Sequence, residues 1–430
     1  MHHPHPDPVV TTAQGLVRGL RRGGTTAFLA IPYAAPPRGA ARFAPPRPHA
    51  PWHGVRDATA PGPTAPQSAR GLGGLDMSPY FGTGWSRGDD YLTVNVWAPA
   101  EGGDLPVMVF VHGRGFVAGS TRSALYDGSA FARDGVVLVT LNYRLGIAGF
   151  LDVPGAPANR GLLDVVAALR WVRENITAFG GDPRRVTLFG QSAGATLVGG
   201  VLAAPEAAGL FGRAIAQSGS GLGAFTPEQA ARVTRAAAGA LGIEPRADAF
   251  AAVPDDRLVP VDQYAPSTPK DVEDVAARSH PHPERLVETY RTSRPGASFG
   301  ELRSALMGDA LFGAGSRALA AATAAHAVEL PFVFDLAHLP QLHGPTALLG
   351  PGRAPAALAS RVHATWIRFA EAGDPGWDPY DDERRATMRI DTEWTLLDDP
   401  RGQEGRAWPR SGRARRRSAS GCTPPGSPLA

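Results

Sequence analysis

The sequence predicts an α/β protein, a mostly parallel sheet covered by helices on both faces. Three observations carry that prediction. Between about residues 92 and 217, short apolar runs alternate with stretches of helical character. The runs are apolar at successive positions rather than at every second one, as strands covered on both faces require. Over residues 186–204 an apolar run, a turn of small residues and a helical stretch follow one another directly.

Each element follows from its own residues. Residues 9–32 alternate around Gly15, Gly19, Gly23 and Gly24 and predict a β-hairpin. Residues 33–70 are rich in proline and predict a loop, either ordered and wrapping or flexible. Strands are predicted at Leu92–Trp97, Pro106–His112, Val136–Tyr143, Val186–Phe189 and Arg213–Gln217. Helices are predicted at Gly161–Phe179 and Ala193–Ala204, between those strands. After residue 225 the alternation stops. Pro227–Leu241, a segment capped by Thr268 with Pro269 at its first position, Glu284–Tyr290, Gly300–Met307, Ser316–Ala325 and Ala356–Glu371 all predict helices. No convincing strand is found between 225 and 325, so the C-terminal part of the sheet is expected to be incomplete.

Composition bounds the function classes. With 430 residues, 43% of them hydrophobic, the chain can bury a large core, and wholesale disorder is excluded. The single cysteine, Cys422, excludes an intrachain disulfide and a cysteine metal cluster. No apolar run reaches the ~18 residues of a membrane helix, and the start lacks the order of a signal peptide. The expectation is a cytoplasmic protein with no membrane partner. The isoelectric point near 9.2 comes from the end of the chain. Residues 401–430 hold seven arginines against Glu404, a balance of +6; taken from the chain's +3, this leaves −3 for the rest. No nucleic-acid partner is read from that distribution. The reading is one domain over 1–407 and a basic, disordered tail over 408–430.

The chemistry centres on Gly190-Gln191-Ser192-Ala193-Gly194, between a predicted strand and a predicted helix. That is the setting of a nucleophile elbow, a turn so tight that both flanking positions need glycine and that lifts the serine hydroxyl above the sheet. The competing reading is an ordinary strand-to-helix turn. His112-Gly113-Arg114-Gly115-Phe116 follows the buried strand, and such a loop can present backbone amides to a reacting carbonyl alongside the amide of Ala193. Its competing reading is a glycine-rich turn without a ligand.

Phe179-Gly180-Gly181-Asp182-Pro183 leading to that turn resembles the serine-site signature of type-B carboxylesterases, the cholinesterase-like branch of the α/β-hydrolases. Asp89-Asp90-Tyr91-Leu92-Thr93-Val94-Asn95-Val96-Trp97 resembles the family's second signature. Similar pieces include Asn142-Tyr143-Arg144-Leu145-Gly146, Gln217-Ser218-Gly219-Ser220 and His326-Ala327-Val328-Glu329-Leu330-Pro331-Phe332. The resemblance runs over residues 9–245 and resumes in pieces over about 283–408. It implies an α/β-hydrolase fold and a serine esterase with no metal or cofactor, acting on a small carboxylic ester. It implies Ser192 as nucleophile and His326 as general base. It implies an oxyanion hole from Gly115 and Ala193, with Arg114 or Gly113 as the third donor. His112 precedes the glycine loop, out of chain order for a base, and is read as structural.

Three departures stand out. Ala65 and Tyr91 occupy the places of the family's N-terminal cysteine pair. Arg114 occupies a place where the family usually has glycine; its side chain is read either as entering the site, to obstruct it or to meet an acidic substrate, or as turned to solvent. Third, no triad acid is identifiable. Only 134 positions separate Ser192 from His326, and the chain reads as shortened between about 250 and 325. Asp262, Asp271, Glu273, Asp274, Glu284, Glu288, Glu301 and Asp309 lie in that interval. None sits at the end of a predicted strand, and Glu329 is read as support for His326. An active esterase and a relative lacking the triad acid are therefore both carried forward.

Overall fold

The computed structural model describes residues 7–68, 76, 78–82, 84–219, 227–259, 272–273, 276–277, 282–296, 302, 327–381, 383–400 and 402. The expected helices capped by Thr268 and over 300–307 and 316–325, and the tail over 408–430, lie wholly or mostly outside these residues.

The central sheet has seven strands. They are β3 (Leu20–Arg22), β4 (Thr25–Pro32), β6 (Thr93–Pro99), β7 (Leu105–Val111), β8 (Val137–Leu141), β9 (Gly181–Gln191) and β10 (Arg213–Gln217), in the spatial order β10-β9-β7-β8-β6-β4-β3. The pairs from β10 to β8 are parallel, as the helices between them require. The pairs from β8 to β3 are antiparallel. The parallel half carries the site, because its strands point their carboxyl ends to one edge.

Strand pleating sorts the core. Val107, Val109 and Val111 of β7 face one side, where they join Val165, Leu169 and Val172 of the helix Arg160–Asn175 and Val198 and Val201 of the helix Ala193–Leu202. Met108 and Phe110 face the other, among Phe131, Phe189, Phe334, Val362 and Ile367. Every one of these strand residues is fully buried. Their continuous apolarity thus records two covered faces.

The N-terminal segment differs from the expected single hairpin. It forms two, β1 (Val9–Thr12) with β2 (Gly15–Arg18), and β3 with β4. The break falls at Gly19, where an added Cβ would stand 2.6 Å from the Phe28 ring. The proline-rich stretch is an ordered wrap: β5 (Val55–Asp57) pairs with β2, and Ala35 donates to the Arg47 carbonyl at 2.8 Å. Ala65 and Tyr91 are both buried there, so packing occupies the places read as missing cysteines.

A buried ion pair ties this wrap to the sheet. Arg144, just beyond β8, and Asp164, on the helix Arg160–Asn175, both have fully buried side chains 2.7 Å apart. Arg160 spends its guanidinium on the carbonyls of Ile147, Ala148, Leu151 and Pro157. A small third core, with Phe43, Leu151, Phe250 and Val253, packs the helices over 227–258 against the wrap. No helix among the described residues is long and apolar enough to cross a membrane.

Candidate active site

Ser192 sits where β9 meets the helix Ala193–Leu202, with φ 57° and ψ −123°. A positive φ in a residue with a side chain costs about 1–3 kcal/mol and persists only where the surroundings enforce it. Here they do. The Ser192 amide donates to the Gln217 carbonyl at 2.8 Å, and the Ser192 carbonyl accepts from Thr196 at 3.0 Å to start the helix. A Cβ on Gly190 would lie 2.6 Å from the Gly194 carbonyl carbon. A Cβ on Gly194 would strike the Val111 and His112 carbonyls, with His112 O at 2.6 Å. The small flanking residues are therefore a condition of the bend.

The loop after β7 lies against this serine. A Cβ on Gly113 would come within 2.8 Å of the Ser192 Cβ and 2.5 Å of the Gln191 carbonyl oxygen. Arg114, Gly115 and Phe116 follow with φ of 84°, 63° and 66°. In a tight turn of this kind successive backbone amides can line a concavity that receives anions. The helix starting at Ala193 adds its own amide end nearby. The structure thus brings Ser192, Ala193, Gly113 and Arg114 together; Gly115, further along, is exposed.

Arg114 is buried, 5% exposed, which overturns the reading that it turns to solvent. Its guanidinium carbon lies 4.3 Å from the Tyr80 ring centre and 5.0 Å from that of Phe81. Stacking on aromatic faces offsets part of its lost hydration, and the strained φ is the other cost of placing arginine here.

His112 is structural, as its place in the chain suggests. It stacks on Tyr143 with ring centres 4.5 Å apart, and its Nδ1 lies 3.1 Å from the Gly113 carbonyl. Burial, more than the field of Arg114, pushes its imidazole down to about 3, so it is neutral near pH 7.

His326 lies outside the described residues, but the segment that follows it does not. Ala327 is buried, and Glu329 accepts from Gln217 Nε2 at 3.3 Å. Gln217 is the residue whose carbonyl holds the Ser192 amide. Of the acids between Ser192 and His326 that the sequence singles out, Glu273, Glu284 and Glu288 are described, and all three are exposed. Sequence reasoning gave no role to Tyr80 or Tyr126 and named Gln217 only within a family-like stretch; Tyr80 bonds Gln191 and Gln217 bonds Glu329. Only the two glutamines flanking the ends of β9 and β10 carried a trace, by standing where parallel strands end.

Glu329 is partly exposed as a residue, yet its carboxyl is enclosed, and Oε2 has no hydrogen-bond partner. Burial pushes it up from 4.5 to about 7, against the pull of its own backbone amide and the Gln217 amide. The folded protein therefore keeps a proton that the unfolded chain has released. This group's share of stability is full below pH 4.5, falls as the pH rises toward 7, and is lost above it. Glu329→Gln is expected to remove that slope. Urea unfolding at pH 4.5 and pH 8 checks it: relative to wild type, the variant gains on the order of 3 kcal/mol across the interval.

A model described as the carboxylesterase family matches residues 6–255. The chain belongs to the carboxylesterase family. The para-nitrobenzyl esterase of Bacillus subtilis (strain 168) is 34% identical over 485 aligned positions, covering 92% of this chain and 97% of that protein. Human carboxylesterase 3 is 48% identical over 49% of this chain and 39% of its own length. Among solved structures, a Geobacillus stearothermophilus carboxylesterase superposes with a TM-score of 0.79 at 32% identity, covering 93% of this chain and 100% of that one. The fold is the α/β-hydrolase fold of these carboxylesterases, and the reaction of the class is hydrolysis of small carboxylic esters.

Proposed function

We propose that this carboxylesterase works through an acyl-enzyme on Ser192. Ser192 Oγ attacks the ester carbonyl while His326 takes its proton. The carbonyl oxygen, now negative, is received by amides of the Gly113-Arg114-Gly115 loop and of Ala193. The C–O bond to the alcohol breaks, and His326 returns the proton to the leaving oxygen. Water, deprotonated by the same imidazole, then releases the acid and regenerates the serine. No step is assigned to a metal or cofactor. The observation that carries this reading is Ser192 held at φ 57° with Gly113 pressed against its Cβ. Docking of Glu329 on Gln217 supports the role of His326, three residues earlier.

A second reading has its own support. The alignment with the Bacillus esterase spans 485 positions but takes in 92% of the 430 residues here, about 396, so some 89 positions face gaps in this chain. The family match also stops at residue 255. Both support a chain shortened before His326, where the triad acid belongs in chain order. Loss of that acid costs about 10⁴-fold in serine hydrolases, leaving slow turnover.

Hydrolysis of p-nitrophenyl acetate by wild type and His326→Ala tests the proposal. The expected result is steady turnover by wild type and a loss of about 10²–10⁴-fold in the variant. Equal rates for the two would remove His326 from the reaction. A stoichiometric burst of p-nitrophenol with almost no steady state would favour the second reading.

A further inference from the structure

We infer that Arg114 is a specificity-determining residue that receives an anionic group of the substrate, so that the esters this site takes are half-esters bearing a free carboxylate. The inference rests on the proposal that Ser192 is the nucleophile.

Arg114 carries an unmet charge. The Arg114 Nε, Nη1 and Nη2 atoms are all enclosed, and none has a hydrogen-bond partner. Among the described residues the guanidinium forms no salt bridge. The Tyr80 and Tyr126 phenols feel both its charge and the pull of its N–H groups, yet neither oxygen meets the full geometry of a hydrogen bond with a guanidinium nitrogen. Glu329 acts on the same two phenols, yet Arg114 is not among the groups acting on Glu329. A buried cation with its donors unspent is costly, and a fork of guanidinium N–H groups matches one ligand above others, a carboxylate held by two parallel bonds.

Its neighbours share the deficit. The Tyr126 hydroxyl and the Gln191 Nε2 are enclosed without partners. Tyr80 donates to Gln191 Oε1 at 2.7 Å, which uses that amide's acceptor and leaves its donor free. What this buried cluster lacks is an acceptor.

The cluster also adjoins the nucleophile. A Cβ on Gly113 would lie 2.7 Å from the same Gln191 Oε1 and 2.8 Å from the Ser192 Cβ. The Tyr80 ring that Gln191 holds by its hydroxyl is the ring under the guanidinium, 4.3 Å away. An anion on Arg114 is thus a short carbon chain away from a carbonyl at Ser192. A monoester of a small dicarboxylic acid supplies both ends, and its hydrolysis yields the alcohol and the dicarboxylate.

Calorimetric binding to Ser192→Ala protein tests the inference without requiring turnover. Monomethyl glutarate is expected to bind at least tenfold more tightly than dimethyl glutarate, and Arg114→Gln, in the same background, is expected to abolish the difference. In the wild type, kcat/KM for p-nitrophenyl hemiglutarate should exceed that for p-nitrophenyl butyrate at least tenfold, mainly through KM. Parity between charged and neutral ligands, or a preference that survives in a folded Arg114→Gln protein, overturns the inference and leaves Arg114 as a plug of the site. If that variant does not fold by circular dichroism, the comparison in Ser192→Ala protein decides alone. If no ester is turned over while the half-ester still binds preferentially, the nucleophile proposal falls and the anion site stands.

Discussion

Ser192→Ala is expected to lower kcat for p-nitrophenyl acetate by about 10⁴–10⁶-fold, to the level left by substrate binding and the amides alone. The serine is 3% exposed at a strained bend that fixes where its hydroxyl stands. The fold should survive the change. Alanine also carries a Cβ, so the left-handed conformation costs both residues about the same. The amide bond to Gln217 and the carbonyl bond to Thr196 are made by backbone on the Ser192 side and remain. Steady-state kinetics beside thermal unfolding checks both halves: activity collapses while the midpoint moves little. A variant that keeps a tenth of the wild-type rate would place the chemistry elsewhere.

Asp164→Ala is expected to be the most damaging single change to stability, at about 3–5 kcal/mol. Asp164 accepts the Arg144 amide and Nε at 2.9 Å each through Oδ2, and Nη2 at 2.7 Å through Oδ1. Arg144 Nη1 donates to the Ala44 and Arg42 carbonyls at 2.6 and 3.0 Å, which extends the clamp into the proline-rich wrap. Removing the carboxylate strands a fully buried guanidinium and frees the chain beyond β8. The damage belongs to the stranded charge more than to the lost pair. A double replacement, Asp164→Leu with Arg144→Met, should therefore cost less than Asp164→Ala alone. Urea midpoints for the two proteins give the comparison; a double variant worse than the single would refute this account of the clamp.

The parts of the molecule that were legible in the sequence are those where one residue type is sterically compelled. Gly190 and Gly194 mark the elbow because any Cβ there meets backbone, and backbone cannot yield. The apolar runs of β7 and β8 mark a sheet covered twice. The resemblance marked Arg114 as unusual, standing where the family usually has glycine, but left its direction open, because direction depends on rings supplied from afar. Tyr80 and Phe81 come from Ser78–Phe81, a single helical turn too short to show a period. Tyr126 comes from the short 3₁₀ segment Ala124–Tyr126. The ribbon of β11 (Thr387–Arg389) and β12 (Thr395–Leu397) left no signal either, since its strands have three residues each. His112 shows the reverse case. Its place in the chain already argued against a base, whereas the contacts that hold it, stacking on Tyr143 and burial that keeps it neutral, come from the fold.

The structure of the protein after reaction with diethyl p-nitrophenyl phosphate tests the central claim most directly. The account predicts a diethyl phosphoryl group on Ser192 Oγ, confirmed by peptide mass, with its phosphoryl oxygen about 2.7–3.1 Å from the Ala193 amide and from amides of the Gly113–Gly115 loop. An unreacted Ser192 in folded protein, or an adduct whose phosphoryl oxygen points away from those amides, would contradict it.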